Sequence, residues 1–262
     1  MLQKFIPVFF AFLLLPVILF GQLLLSEKSL YFTTDGLANL YSINNKYEII
    51  KYNAKGLENF RYSNTRLDAP EFIDATDPFN ILVFYPDYQT VILLDRTMTE
   101  TAVLNLIDFD YFNVNAVAVS SDNKLWIYDE LNFRLKKIDR NGEVVQESDD
   151  LSLLLRKDFK PNFITEREQK VFVNDPEVGI LVFDFFGQYI KTLDFKGLDE
   201  FQVFRDFIIF RDTDGILQKY HLKSLLVSPL KMPENFSTSG KIRYETGYLF
   251  AETNGFVKIY SL

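Results

Sequence analysis

Leu40-Tyr-Ser-Ile-Asn-Asn-Lys-Tyr-Glu-Ile-Ile-Lys-Tyr-Asn53 combines two short apolar runs, a polar turn between them and a closing asparagine. The same pattern returns at Leu82–Asp95, Leu125–Asp139, Val171–Asp184, Ile208–His221 and Leu249–Ser261. The six starts are separated by steps of 42, 43, 46, 37 and 41 residues. A recurring period of about 40 residues with strand-like content is typical of propeller blades, each of which is a four-stranded sheet.

The apolar runs themselves have the chemistry of β-strands. They are rich in Ile, Val, Phe and Tyr and are bounded by Asn, Asp, Gly and Pro, which is the pattern of short strands joined by turns. A β-sandwich is the alternative because it also contains many short strands, but six copies of one double-strand unit favour the propeller. We therefore predict an all-β protein whose residues 22–262 form a single six-bladed β-propeller.

Specific segments around these copies resemble a known group of propellers. Thr34-Asp-Gly-Leu-Ala-Asn-Leu-Tyr41 opens the first blade, and Ile50-Lys-Tyr-Asn-Ala-Lys-Gly56 closes its inner hairpin. The closing pattern recurs as Ile138-Asp-Arg-Asn-Gly142 and Phe183-Asp-Phe-Phe-Gly187. These segments resemble blades of NHL and TolB-like six-bladed propellers, and the resemblance extends over residues 26–262. Those families include binding modules and some hydrolases, so the resemblance implies the fold and leaves the activity open.

The first 21 residues have the pattern of a targeting segment. Lys4 precedes a wholly apolar run from Phe5 to Phe20, and Gly21 gives a small-residue exit. We expect a signal peptide over residues 1–21 that is cleaved near Gly21, with a retained N-terminal membrane anchor as the alternative. Either arrangement exports the propeller, and we expect it in the periplasm or on the cell surface of a bacterium. The chain has no cysteine, so we expect neither a disulfide nor a lipid-modified cysteine.

Two departures from the repeat carry structural predictions. Only three strands are evident in the sixth blade, near 241–244, 249–252 and 256–260. Leu23–Ser26 has no place in the first blade, so we predict that it pairs with the strand at 256–260 and closes the ring, because an unpaired edge would invite aggregation. Residues 148–158 break the period, and they predict a short surface helix or a loop.

Composition excludes several classes of function. The 36 acidic residues outnumber the 28 basic ones, which gives a formal net charge of −8 and argues against nucleic-acid binding. His221 is the only histidine, and we interpret it as a turn residue because no partner for a catalytic triad is evident. We predict no catalytic residues, no metal ligands and no cofactor. A single Ca²⁺ or Mg²⁺ ion held by oxygen ligands, in a lactonase-like metal-dependent hydrolase, is the alternative to a non-catalytic binding or scaffold module.

The turns between the second and third strands of the blades are rich in carboxylates. In a propeller these turns leave on one face, so they predict a negative surface that attracts a cationic partner. The candidate binding residues are Asp87, Tyr88, Asp129, Glu130, Asp175, Glu177, Asp212, Asp214 and Glu252. Phe133 and Tyr88 add aromatic contact area. The alternative is that these acids only form turns. We expect a protein, peptide or glycan partner in the envelope, no nucleic acid, and no membrane span after signal cleavage.

Overall fold

A computed structural model of the chain describes residues 22–155, 159–232, 236 and 240–262. The strands are β1 (Gln22–Leu24), β2 (Ser29–Thr34), β3 (Leu40–Asn44), β4 (Ile49–Tyr52), β5 (Glu58–Tyr62), β6 (Phe72–Asp74), β7 (Ile81–Tyr85), β8 (Thr90–Leu94), β9 (Glu100–Asn105), β10 (Val117–Val119), β11 (Leu125–Asp129), β12 (Arg134–Ile138), β13 (Val144–Glu147), β14 (Phe163–Arg167), β15 (Lys170–Asp175), β16 (Gly179–Asp184), β17 (Tyr189–Leu193), β18 (Phe201–Val203), β19 (Phe207–Arg211), β20 (Leu217–His221), β21 (Val227–Pro229), β22 (Ile242–Glu245), β23 (Tyr248–Thr253) and β24 (Phe256–Ser261). These strands form six four-stranded sheets, which confirms the all-β, six-bladed propeller.

Five blades use four strands that are consecutive in the chain. Blade 1 has the order β2-β3-β4-β5, blade 2 β6-β7-β8-β9, blade 3 β10-β11-β12-β13, blade 4 β14-β15-β16-β17 and blade 5 β18-β19-β20-β21. All neighbouring strands are antiparallel, and the second and third strands are almost wholly buried in blades 1, 2 and 4. The repeated double strand seen in the sequence is therefore the centre of each blade.

Blade 6 is completed from the other end of the described chain. Its order is β1-β24-β23-β22, and the register pairs Gln22 with Tyr260, Leu23 with Ile259 and Leu24 with Lys258. The Leu25 N–H continues the pairing at 3.0 Å from the Val257 carbonyl oxygen, and the Leu25 side chain is buried between blades 6 and 1. This is the pairing that the sequence predicts for the leucine segment.

Helical structure is sparse. Residues Leu151–Leu155 form the short helix α1 in the segment that breaks the repeat, and 3₁₀ turns occur at Pro86–Tyr88 and Leu106–Phe109. None of the helices in the described ranges has the length and apolarity that crossing a membrane requires. The predicted signal or anchor at residues 1–21 lies outside the described residues.

Because successive strands are antiparallel, the ring has two faces with different turns. The front face carries the turns between second and third strands, at residues 45–48, 86–89, 130–133, 176–178, 212–216 and 254–255, together with the connections between blades. The back face carries the turns between first and second strands, at residues 35–39, 75–80, 120–124, 168–169, 204–206 and 246–247.

The cores between blades are unequal. Clusters of 9 to 13 buried apolar residues fill the junctions 1–2, 2–3, 3–4, 4–5 and 6–1. The remaining cluster, on the side of blade 6 near blade 5, contains three buried residues among those described, Leu249, Ala251 and Tyr260, and all three belong to blade 6. Within the part of the chain that the structure describes, the junction between blades 5 and 6 is therefore the least apolar of the six.

Candidate functional site

Several of the predicted acidic residues are committed to holding their own turns. Asp129 is buried, and its carboxylate accepts hydrogen bonds from the Leu131 N–H and from Lys136 Nζ, at 3.1 and 2.7 Å. Asp175 is also buried and accepts from the Glu177 N–H and the Lys160 N–H, each at 2.7 Å. Such bonds from a side chain to nearby backbone are why aspartate is favoured in turns.

The other predicted residues differ in how far they are exposed. Asp212 accepts from the backbone N–H groups of Asp214 and Ile216 and from Gln218. Glu130 accepts from Asn115 at 2.9 Å, and Glu252 accepts from the Gly255 N–H. The exposed members are Asp87, Tyr88, Glu177 and Asp214. The front face therefore presents three exposed carboxylates of the predicted set, on blades 2, 4 and 5.

An apolar patch that the sequence only partly indicates lies on the front face beside these acids. Its members are the exposed side chains Phe112, Leu131, Phe133, Leu153 and Leu154, which we call the blade-3 patch. The Phe133 carbonyl accepts from the Leu151 N–H at 2.8 Å, which fixes helix α1 next to the 130–133 turn. The bond between Asn115 and Glu130 ties the segment of Phe112 to the same turn. The sequence feature that indicates part of this patch is the interruption of the blade repeat at residues 148–158.

The central channel is narrowed by aromatic rings from four blades. Ring centroids of Tyr31 and Phe72 are 5.9 Å apart, those of Phe72 and Phe163 5.9 Å, and those of Phe163 and Phe201 5.1 Å. Phe72 and Phe163 line both a front cavity of about 390 Å³ and a back cavity of about 250 Å³. The rings therefore stand between two compartments of the channel.

The back compartment contains buried carboxyl groups. Glu245 accepts hydrogen bonds from Thr34 Oγ1 at 2.5 Å and Gln202 Nε2 at 3.3 Å, and burial raises its pKa to about 7. Asp74 accepts from the Thr76 and Val119 N–H groups at 2.9 Å, and burial raises its pKa as well. Both groups keep their protons to a higher pH than ordinary carboxyls do, because the surrounding protein stabilises a charged carboxylate less well than water does.

A buried ion cluster lies where the front compartment meets the junction of blades 5 and 6. Glu200 Oε2 accepts from Lys241 Nζ and from Arg243 Nη2, both at 2.8 Å. Lys241 Nζ also lies 3.5 Å from the centroid of the Tyr31 ring, an attractive cation–π arrangement. Burial lowers the pKa of Lys241 to about 7, although Glu200 opposes this effect.

Sequence reasoning missed this cluster, although a signal for it exists. Arg243 and Glu245 alternate along β22, the inner strand of blade 6, and Lys241 continues the alternation one residue before that strand begins. Alternate residues of a strand share one face, and the inner strand of a propeller faces the channel. Charged residues at three alternating positions of a predicted inner strand therefore indicate a polar channel wall.

The single histidine lies on a strand of blade 5, and no cluster of metal ligands occurs in the described part of the chain. His221 ends β20 opposite Phe207, with the two ring centroids 6.4 Å apart. Among residues 22–155, 159–232, 236 and 240–262, no three His, Asp or Glu side chains come together as metal ligands.

Comparisons with known proteins show the fold and no more. No protein-family model matches the chain, and no curated protein does so either. The WD40 domain of Pan2 from Neurospora crassa is similar over 90% of this chain and 89% of its own, with 11% identity and a TM-score of 0.58. Virginiamycin B lyase from Staphylococcus aureus is similar over 88% of this chain and 79% of its own, with 13% identity and a TM-score of 0.58. A streptogramin B lyase covers 88% of this chain and 78% of its own, with 13% identity and a TM-score of 0.54.

Proposed function

We propose that this chain is a non-catalytic binding module of the bacterial cell envelope that docks a basic protein or peptide on the front face of its propeller. One observation carries the proposal: exposed carboxylates and an exposed apolar patch occur together on that face. Asp87 and Glu177 lie on the blades that flank blade 3, whose patch includes Leu131, Phe133 and Leu153.

The two kinds of surface have separate roles in recognition. Exposed apolar side chains that cluster on a protein surface mark interaction sites, and aromatic anchors supply much of the binding free energy. Charges at the rim steer a partner and set its orientation more than they add affinity. The net charge of −8 favours a cationic partner, and the exposed acids Asp87 and Glu177 place part of that charge on the two blades beside the patch.

Export is the second part of the proposal and rests on the apolar run from Phe5 to Phe20. The NHL or TolB-like type of the propeller is likewise a proposal that rests on the segments quoted above. Intact mass of the protein from an envelope fraction should give an N-terminus at or close to Gln22. A protein that begins at Met1 and needs detergent for extraction would establish the anchor instead.

The docking proposal is tested by photo-crosslinking in cells. A benzophenone amino acid replaces Phe133 on the front face or, as the matched control, Phe79, an exposed phenylalanine of a back-face turn. We expect one partner to be crosslinked from position 133 and not from 79. Crosslinking from 79 alone, or equally from both positions, would contradict the proposal.

Charge variants then test the electrostatic part with the purified partner. The triple change Asp87→Lys, Glu177→Lys and Asp214→Lys should weaken binding at least tenfold at low salt and remove most of its salt dependence. The matched triple change Glu143→Lys, Glu168→Lys and Asp206→Lys alters exposed acids outside the front-face turns and should leave binding within twofold. Equal losses in the two triple variants would mean that net charge matters and the front face does not.

A further inference from the structure

Among the described residues, the junction between blades 5 and 6 is held by polar contacts and by one aromatic contact, between Phe204 and Tyr244, whereas the other junctions have larger apolar clusters. Gln202 on β18 exchanges hydrogen bonds with the backbone of Tyr244 on β22, at 2.7 and 3.2 Å. Arg211 donates to the Gly240 carbonyl at 2.8 Å, and Glu200 accepts from Lys241 and Arg243. A junction of this kind tolerates water and polar ligands, because its groups do not depend on exclusion of solvent by an apolar core.

A groove of about 580 Å³ occupies this junction. It lies between the 212–216 turn of blade 5 and the start of β22, at the front face. Three basic side chains line it, those of Arg211, Lys241 and Arg243, together with Gln202, Thr213 and Glu200. The volume falls within the range of small-molecule sites and exceeds that of a single water or simple ion.

The deepest cations of the groove share a single carboxylate oxygen. Lys241 and Arg243 both donate to Glu200 Oε2, and their side chains are only 16% and 7% exposed. Arg243 Nε is buried and has no hydrogen-bond partner among the described residues. A buried cation is stabilised by direct partners that satisfy its N–H groups. Within the groove the two cations have one carboxylate, that of Glu200, as their direct counter-charge, and one N–H of Arg243 lacks an acceptor.

The other acids that line the groove do not supply that counter-charge directly. Asp212 accepts from turn N–H groups and from Gln218 Nε2. Asp199 is exposed, and water screens an exposed charge strongly. An oxyanion from solution can supply what these residues do not, because its oxygens accept several charge-assisted hydrogen bonds at once.

We propose that the groove between blades 5 and 6 binds a small oxyanion of the carboxylate or phosphate class through Lys241 and Arg243, and that the bound anion ties the two blades together. Arginine is suited to this role because its planar guanidinium presents several N–H groups to one anion. The site is separate from the blade-3 patch, and the inference does not depend on the protein partner proposed above.

The test uses the purified protein with citrate and with inorganic phosphate as probes, at pH 6.5 and at ionic strength held constant with sodium chloride. Binding to the native state alone raises the melting temperature. We expect at least one probe to raise it by several degrees and to give a saturable calorimetric titration. Stabilisation by citrate alone identifies a carboxylate ligand, and stabilisation by phosphate alone identifies a phosphate ligand. No stabilisation beyond chloride by either probe overturns the proposal.

Variants locate the binding. Lys241→Met should weaken it at least tenfold, whereas Lys241→Arg, which keeps the charge, should retain it within about threefold. Arg205→Met is the matched control, because Arg205 lies in a back-face turn with its side chain 82% exposed, and it should bind as the wild type does. Equal binding by Lys241→Met and the wild type overturns the proposal.

A measurement on the wild-type protein covers the case in which Lys241→Met does not fold. The Nε–H signal of Arg243, assigned with the Arg243→Lys variant, is followed by nuclear magnetic resonance during titration with the probe that stabilises. We expect it to shift with the same dissociation constant as the calorimetric titration. A shift of Arg205 with no shift of Arg243 overturns the proposal.

Discussion

The indole Nε1 of Trp126 donates a hydrogen bond to Glu166 Oε2 across 2.6 Å and thereby joins the centre of blade 3 to the inner strand of blade 4. The same carboxylate accepts from the Ser120 hydroxyl at 2.6 Å and from the Ser121 hydroxyl and N–H. Trp126 is fully buried and Glu166 nearly so. One carboxylate of blade 4 therefore satisfies four donors of blade 3.

Replacing Glu166 by alanine should destabilise the ring strongly. The change leaves the indole N–H and the Ser120 hydroxyl buried without an acceptor, and each such group costs about 1–3 kcal/mol. We expect the free energy of unfolding in urea to fall by about 3 kcal/mol or more. Glu143→Ala, at an exposed glutamate of blade 3, is the control and should stay within about 0.5 kcal/mol. Similar losses in the two variants would contradict this account.

Stability should depend on pH through Glu245. Burial raises its pKa to about 7 from the usual value of 4.5, so the folded state retains a proton that the unfolded state releases between these values. The contribution of Glu245 to stability is therefore greatest below pH 4.5 and is lost as the pH rises to 7. At about 1.4 kcal/mol per pKa unit, the loss is at most about 3 kcal/mol.

Glu245→Gln tests this linkage, because glutamine imitates the protonated carboxyl and keeps an oxygen for Thr34 and Gln202. We expect the variant to match the wild type at pH 4.5 and to exceed its stability at pH 8. Glu143→Gln is the control and should track the wild type throughout. A pH-independent difference between Glu245→Gln and the wild type would show that the effect is not protonation.

Closure of the ring by β1 is tested by truncation. A protein of residues 26–262 lacks β1 and the buried Leu25 and should melt well below a protein of residues 22–262, because the β24 edge loses its partner. The double change Leu23→Ser and Leu24→Ser alters only exposed side chains of β1 and should have a much smaller effect. An unchanged melting temperature after truncation would mean that the pairing does not support the fold.

Metal chelation should not affect stability. The described residues contain no cluster of three His, Asp or Glu side chains suited to a cation. We therefore expect melting temperatures in EDTA and in about 1 mM calcium to agree within about one degree. A calcium-dependent rise of several degrees would favour the metal-dependent hydrolase instead.

The sequence predicts the fold well because each blade repeats one local pattern. The double strands at Leu40–Asn53 and its five counterparts, the closing role of the leucine segment and the irregularity at 148–158 are all visible in residue spacing. The candidate site is harder to predict from the sequence, because the burial of each side chain depends on which blades pack against each other. Asp129 and Asp214 look alike as turn acids, yet Asp129 is buried beside Lys136 and Asp214 is exposed.

The ion cluster shows the same limit more sharply. Glu200 lies 41 residues before Lys241 and 43 residues before Arg243 in the chain, and no local feature of the sequence indicates these contacts. Charged residues are most often at the protein surface. The alternation of Lys241, Arg243 and Glu245 is therefore informative only after β22 has been placed on the channel wall.

The pairing of β1 with β24 also governs the order in which the molecule can be made. Leu23 and its partner Ile259 are far apart in the chain, so blade 6 cannot be completed until the residues of β24 have been synthesised. Contacts between such distant residues form slowly, and incomplete chains expose strand edges that favour aggregation. Blades 1 to 5 can assemble during synthesis, while β1 stays unpaired until β24 has been made. During synthesis the incomplete chain should therefore need protection from aggregation until β1 and β24 have paired.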